Sequence, residues 1–178
     1  GIEEEHAVTF AAGLAAGGMK PFCNIYSSFS QRAYDQIFHD VALQELPVVL
    51  CLDRGGLVGE DGATHQCNED LALMRTIPGM TVICPADATE AYAAVAAAIN
   101  TDGPMYLRFG RFAVPDLSGE LLPDYKFEIG KGVTYREGKD VTIVANGYMV
   151  HLAVEAAEML AKEGIDAGVI NIHTINTG

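Results

Sequence analysis

The chain has 178 residues, of which 49% are hydrophobic and 20% charged, enough for one domain with a real core plus a smaller unit. Its formal net charge of −13, with only 11 Lys and Arg residues, argues against a nucleic-acid-binding face and against docking on anionic membranes. The four cysteines form no Cys-x-x-Cys pair and mostly adjoin apolar runs, which is typical of reduced cysteines in a cytoplasmic protein. The sequence predicts no membrane-spanning segment.

The first predicted element is a helix that starts at Glu3 and ends before a pair of glycines. Positions 4, 7, 8, 11 and 15 share one helical face, and all of them except Glu4 are alanine or valine. Glu4 therefore stands at the head of an apolar stripe, where a carboxylate needs a partner. The alternative is that the acids of this first turn only complement the positive end of the helix dipole.

Strands and helices then alternate along residues 1–111. Apolar runs predict strands at 21–26, 47–52, 80–84 and 104–108, and helical periodicity predicts helices at 31–45, 68–74 and 87–100. This βα rhythm indicates an α/β domain of three layers, a parallel sheet with helices on both faces.

The end of the chain is predicted to form a second, incomplete α/β unit. Residues 112–126 contain two prolines and a glycine and read as a linker. Residues 127–178 then predict one βαβ unit, with strands at 140–145 and 166–173 around a helix at 149–163. One such unit does not make a stable sheet domain, so we expect another chain, or a further part of the same polypeptide, to complete it.

A glycine-rich loop at 53–66 is the first candidate site. It follows a predicted buried strand, and open α/β sheets bind ligands at the carboxyl ends of their strands. Four glycines allow close backbone approach to a ligand, while Arg54, Asp61 and His65 supply groups of both signs. The loop lacks the P-loop ending, the dinucleotide fingerprint and the Gly-x-Ser-x-Gly elbow. An ordinary surface loop is the alternative.

Four stretches together resemble the thiamine diphosphate-dependent transketolase superfamily. They are GIEEEHAVTFAAGL at 1–14, IYSSFSQRAYDQ at 25–36, HDVALQ at 39–44 and DRGGLVGEDGATH at 53–65. The branch they resemble most is the pyrimidine-binding domain of the 1-deoxy-D-xylulose-5-phosphate synthases. From residue 69 onward the sequence is more similar to transketolase small subunits, which leaves transketolase as the second possibility.

The resemblance implies a set of cofactor contacts. Glu4 matches the glutamate that hydrogen-bonds the pyrimidine ring of thiamine diphosphate and activates the cofactor. Phe29 matches the residue that stacks on that ring, although a phenylalanine at a helix start is also an ordinary core residue. Arg32 matches a neighbouring position of the substrate channel, and we count it among the cofactor-binding residues.

The resemblance also implies a set of substrate contacts. Tyr26, Arg54 and Arg111 match positions that bind substrate, and the two arginines would hold the phosphate of glyceraldehyde 3-phosphate. Asp61 and His65 match catalytic positions that manage protons and substrate hydroxyls; the alternatives are a loop-stabilising turn residue and a surface histidine.

The family holds the cofactor diphosphate and Mg²⁺ through a Gly-Asp-Gly…Asn motif that this sequence does not contain. We therefore expect no metal site in this chain, and a diphosphate-binding domain or subunit as its partner in a homo- or hetero-oligomer. Small phosphorylated sugars would be the substrates. The expected reaction condenses pyruvate with glyceraldehyde 3-phosphate, and a non-catalytic assembly module of the same fold is a third alternative.

Overall fold

The structure is a computed structural model that describes residues 2–178, so Gly1, the first residue of the motif at 1–14, lies outside the described residues. The strands are β1 (Phe22–Tyr26), β2 (Val49–Asp53), β3 (Thr81–Ile83), β4 (Met105–Arg108), β5 (Val133–Arg136), β6 (Val141–Ala145), β7 (Ala167–Asn171) and β8 (Thr174–Thr177). The α-helices are α1 (Glu4–Ala16), α2 (Tyr34–Gln36), α3 (Asp70–Arg75), α4 (Ala88–Ile99), α5 (Leu117–Leu121) and α6 (Met149–Lys162).

The first sheet has the strand order β1-β2-β4-β3-β8. Strands β1, β2, β4 and β3 are parallel to their neighbours, and β8 closes the edge antiparallel to β3. In a parallel sheet the connecting helices bury both faces of the strands. Strand sequences are therefore apolar on both faces and do not alternate between apolar and polar residues. Strand β2, for example, runs Val-Leu-Cys-Leu before it reaches Asp53.

Two hydrophobic clusters cover the two faces of this sheet. On one face, α1 and the helical segment after β1 pack on the strands; this cluster includes Val8, Ala11, Ile37, Val41, Leu50, Leu52 and Val82. On the other face, α4 packs on the alternate strand residues; this cluster includes Val49, Ile83, Ala94, Ala98, Met105 and Leu107. The predicted three-layer α/β domain with helices on both faces is confirmed.

The segment after β1 departs from the regular helix predicted at 31–45. The chain instead forms 3₁₀ turns over Ser27–Ala33, then α2, then a π-helical stretch over Ile37–Ala42. Serine hydroxyls that bond to nearby backbone compete with regular helix formation. The Ser30 hydroxyl does this here, donating to the Ser27 carbonyl at 2.6 Å. Phe29 lies within these turns, is half-buried and belongs to neither hydrophobic cluster of the first sheet.

The second unit is a three-stranded sheet in the order β5-β7-β6, with α6 packed on it. Strand β6 is parallel to β7, as predicted, and β5 adds an antiparallel strand that the sequence analysis missed. After β7 the chain crosses to the first sheet, where β8 pairs with β3. This crossing is not predicted from the sequence either. The division into 1–111, 112–126 and 127–178 stays a prediction.

A buried polar cluster joins α4 to the segment between α5 and β5 and to β7. Glu90 on α4 is fully buried and accepts hydrogen bonds from the Tyr125 hydroxyl at 2.5 Å and from the Asn171 amide at 2.9 and 3.0 Å. Burial raises the pKa of the Glu90 carboxyl. Because these partners come from the segment between α5 and β5 and from β7, the cluster connects three parts of the chain. Between residues 2 and 178, none of the helices is long and apolar enough to cross a membrane.

Candidate active site

Three parallel strands end side by side at one edge of the first sheet. Tyr26, the last residue of β1, is paired in register with Asp53, the last residue of β2. Leu52 is likewise in register with Arg108, the last residue of β4. The segments that follow these strands therefore meet at the same edge, which is where open α/β sheets bind ligands.

A groove of about 410 Å³ lies between the start of α1 and the end of β1. It is lined by Glu3, Glu4, Ala7, Asn24, Ile25, Tyr26 and Phe29. The lining combines a flat aromatic surface with a carboxylate, and apolar side chains make up much of the rest. Such a mixture of mostly apolar walls and a few placed polar groups is typical of small-molecule sites.

Glu4 places a buried carboxylate at this groove. The residue is 8% exposed, and its Oε1 atom lies 3.6 Å from Arg32 Nη1. Its Oε2 atom is buried and has no hydrogen-bond partner among the described residues. A buried carboxylate oxygen without a partner is costly to the fold, so it is a natural place for a ligand that donates a hydrogen bond.

Phe29 belongs to an aromatic group on the wall of the groove. Its ring centroid lies 5.0 Å from that of Tyr26 and 5.2 Å from that of His65, and the Tyr26 and His65 centroids are 5.3 Å apart. The Arg32 guanidinium sits 5.1 Å from the Phe29 ring centroid. These contacts hold the three rings as one unit, with Phe29 facing the groove.

Asp61 contacts three of the other polar side chains of the site. It accepts hydrogen bonds from the Tyr26 hydroxyl at 2.7 Å and from Arg111 Nε at 2.8 Å, and Arg54 Nε lies 3.4 Å away. The hydrogen bond from Tyr26, followed by the two arginines, lowers the pKa of the Asp61 carboxyl. Loss of solvation, together with Asp61, raises the pKa of Tyr26 to about 12, so the phenol stays protonated at neutral pH.

The glycine-rich loop is closed at its neck by backbone hydrogen bonds. Gly56 and Cys67 exchange both of their N–H···O bonds, at 2.7 and 3.0 Å. Within the loop, Gln66 accepts a hydrogen bond from the Val58 amide and donates one to the Gly62 carbonyl. The sequence predicts no role for Gln66, whereas in the structure its side chain joins two parts of the loop.

A buried ion pair under the loop also escaped the sequence analysis. Arg108 donates to both carboxylate oxygens of Asp70, at 2.5 and 3.1 Å, and the Tyr106 hydroxyl donates to the same carboxylate at 2.5 Å. The only available signal was an arginine at the end of a predicted strand in a chain with few basic residues.

All eight residues singled out from the sequence meet around this edge of the sheet. Glu4, Phe29 and Arg32 lie on the groove side, and Tyr26, Arg54, Asp61, His65 and Arg111 lie on the loop side. Within the described part of the chain, His, Cys, Asp and Glu side chains form no group of three or more that could hold a metal ion.

Comparisons with known proteins identify the family of the chain. Residues 1–116 match the family model of the transketolase pyrimidine-binding domain, and residues 130–177 match that of the transketolase C-terminal domain. The 1-deoxy-D-xylulose-5-phosphate synthase of Magnetococcus marinus is 51% identical over 169 residues. The synthase 1 of Geobacter sulfurreducens is 53% identical over 174. The matches cover 95% and 96% of the chain but only 27% of each relative.

Solved structures give the same result for the fold. A split-gene transketolase, described as an inactive beta4 tetramer, superposes with a TM-score of 0.87 and 42% identity, covering 96% of this chain and 55% of its own. A transketolase variant from Pichia stipitis in complex with fructose 6-phosphate superposes with a TM-score of 0.86 and 32% identity, covering 98% of this chain and 26% of its own. The chain therefore belongs to the transketolase family, with a pyrimidine-binding domain followed by a C-terminal-domain region.

Proposed function

We propose that this chain is the pyrimidine-side part of a thiamine diphosphate enzyme, a transferase of the transketolase type that condenses pyruvate with glyceraldehyde 3-phosphate to 1-deoxy-D-xylulose 5-phosphate. The observation that carries the proposal is the buried, unpartnered Oε2 atom of Glu4 in a groove walled by Phe29. The synthases that match the chain at about half of their aligned positions support the choice of reaction.

The groove fits the aminopyrimidine ring of the cofactor. Phe29 offers an aromatic face for stacking, and the free oxygen of Glu4 can accept a hydrogen bond from a ring nitrogen. The Glu4 carboxylate would hold a proton at that ring nitrogen. When bound, the cofactor supplies a carbon acid whose conjugate base adds to keto carbonyls. Arg32 lies next to both Glu4 and Phe29, and its positive charge would hold the Glu4 carboxylate at the groove.

The loop side fits a phosphorylated acceptor. Arg54 and Arg111 both approach Asp61, and an incoming phosphate would compete for their guanidinium groups. Asp61 and Tyr26 would contact substrate hydroxyls, because the carboxylate accepts and the protonated phenol donates hydrogen bonds. His65 packs edge-on against Tyr26 and Phe29, between the two sides, where it would transfer protons to and from the substrate.

The diphosphate group and its Mg²⁺ would be held by a separate domain or subunit, and the active enzyme would be an oligomer. Magnesium usually keeps one or two carboxylate ligands together with phosphate oxygens, and the family supplies these from the Gly-Asp-Gly…Asn motif absent here. The split-gene relative shows that a transketolase can be divided between chains. The four free cysteines suit a reducing, cytoplasmic location.

Transketolase activity is the second candidate. The observation that favours it is the structural likeness to transketolases, one of them in complex with fructose 6-phosphate. In that case the same site would move two-carbon ketol units between sugar phosphates.

A donor assay on the complete enzyme, with its diphosphate-binding domain or subunit, separates the two candidates. We expect CO₂ release from pyruvate that depends on glyceraldehyde 3-phosphate, measured with a coupled assay, and little turnover of ketose phosphates. Efficient use of a ketose phosphate without CO₂ release would favour transketolase instead. Absence of turnover with every donor would contradict both and favour the non-catalytic assembly module.

A further inference from the structure

Arg54 has an unusual backbone conformation for a residue with a side chain. Its φ angle is +61°, in the left-handed region that L-residues other than glycine seldom occupy. Such conformations persist where the surroundings enforce them, and they cluster at functional sites. The conformation matters here because it directs the side chain from the end of β2 towards Asp61 and the Tyr26 ring, 5.3 Å from the guanidinium.

The peptide group that follows Arg54 is fixed at both of its polar atoms. The Ser27 hydroxyl donates to the Arg54 carbonyl oxygen at 2.7 Å, and the Gly55 amide donates to the Phe109 carbonyl oxygen at 2.8 Å. Ser27 is fully buried, so water does not readily replace its hydroxyl group. Rotation of this peptide out of the left-handed conformation would break both hydrogen bonds.

Arg108 supports the same peptide from the other side. A Cβ atom placed on Gly55 would lie 2.8 Å from Arg108 Nε, which leaves no room for a side chain at position 55. The bidentate ion pair with Asp70 holds Arg108 in place, and Asp70 is 2% exposed. The loop therefore rests on a buried ion pair, and neither Arg108 nor Asp70 lines the groove.

We propose that Ser27 is a positioning residue that, together with Arg108 behind Gly55, holds Arg54 in its left-handed conformation and thereby sets the affinity for the phosphate group of the acceptor. The inference rests on the proposed function, because it takes Arg54 as the phosphate anchor. It links the turn that carries Phe29 to the loop that carries Arg54, two elements that the sequence gives no reason to connect.

The test compares Ser27→Ala with Ser28→Ala in the complete enzyme. Ser28 is a matched control because it lies in the same turn and its buried hydroxyl has no partner among residues 2–178. We expect Ser27→Ala to raise the KM for glyceraldehyde 3-phosphate about tenfold, the value of one lost hydrogen bond to a buried group. The KM for pyruvate, kcat, and kcat/KM for unphosphorylated glyceraldehyde should change less than about twofold.

A double variant shows whether the effect passes through Arg54. In an Arg54→Ala background, Ser27→Ala should produce no further rise in the KM for glyceraldehyde 3-phosphate, because the group it positions is gone. Gly55→Ala, which forces Arg108 or the peptide to move, should reproduce the acceptor-specific defect if Ser27→Ala does not fold.

Equal losses with the phosphorylated and unphosphorylated acceptors, or an effect that adds fully to that of Arg54→Ala, would overturn the positioning role. A different result would contradict the part of the proposed function on which this inference rests. If Arg54→Ala itself leaves the preference for the phosphorylated acceptor unchanged, Arg54 is not the anchor, whatever the Ser27 variant does.

Discussion

Replacement of Glu4 by glutamine is expected to lower kcat of the complete enzyme by on the order of 10² or more. Glutamine keeps the size of the side chain but cannot hold a proton at the cofactor ring as a carboxylate does. Because Oε2 of Glu4 has no hydrogen-bond partner among the described residues, the substitution removes no hydrogen bond from this atom, so the variant should unfold at the same temperature as the wild type or slightly higher. Steady-state kinetics and thermal unfolding followed by circular dichroism measure the two effects.

Glu5→Gln provides the matched control for this prediction. Glu5 lies next to Glu4 in the first turn of α1, but its side chain is exposed and does not line the groove. The two substitutions make the same change in charge near the helix N-terminus, so a dipole effect alone would affect both equally. Activity of Glu4→Gln close to that of Glu5→Gln would show that Glu4 does not act on the cofactor.

Replacement of Arg54 by alanine is expected to raise the KM for glyceraldehyde 3-phosphate roughly 10- to 150-fold, which corresponds to about 1.5–3 kcal/mol for a charge-assisted hydrogen bond. The KM for pyruvate should change little, because pyruvate carries no phosphate. The reason is the position of the guanidinium beside Asp61 and Tyr26, at the edge of the sheet and on the loop side of the site. Initial rates with each substrate varied in turn give both constants.

Arg75→Ala is the control for Arg54→Ala. Arg75 lies in the last turn of α3 and is exposed, so its loss changes the net charge of the protein equally without touching the site. An Arg54 variant that loses the same factor for both substrates would indicate that Arg54 supports the loop and does not bind the phosphate. A similar defect in the Arg75 variant would indicate a general electrostatic effect.

The sequence was sufficient to predict the layers of the fold, because the central strands β2 and β4 of the first sheet are apolar on both faces. The stripe on α1 was also predictable, since Val8, Ala11 and Ala15 follow helical periodicity and are buried in the structure. Strand β8 was missed because it is a short edge strand with little apolar patterning. Such a strand can be identified only from its pairing with a neighbouring strand, here β3.

The residues of the candidate site likewise include some that the sequence predicts and some that it does not. Arg54 could be proposed because it follows a predicted strand, and both Arg54 and Tyr26 match a family pattern. The residues that hold these side chains in place could not be predicted, because the contacts are distant in sequence. Ser27 contacts Arg54 across 27 positions, and Asp70 contacts Arg108 across 38. Local patterns carry no information about such contacts. The same holds for the Glu90 cluster, whose Asn171 partner lies 81 positions away.

The most direct measurement is an experimental structure of the complete enzyme with thiamine diphosphate and Mg²⁺ bound. We expect the pyrimidine ring in the groove against Phe29, with a ring nitrogen about 2.6–3.2 Å from the Glu4 carboxylate, and the diphosphate and Mg²⁺ on another domain or subunit. A pyrimidine ring bound away from this groove, or a Glu4 carboxylate out of hydrogen-bond reach of it, would contradict the account.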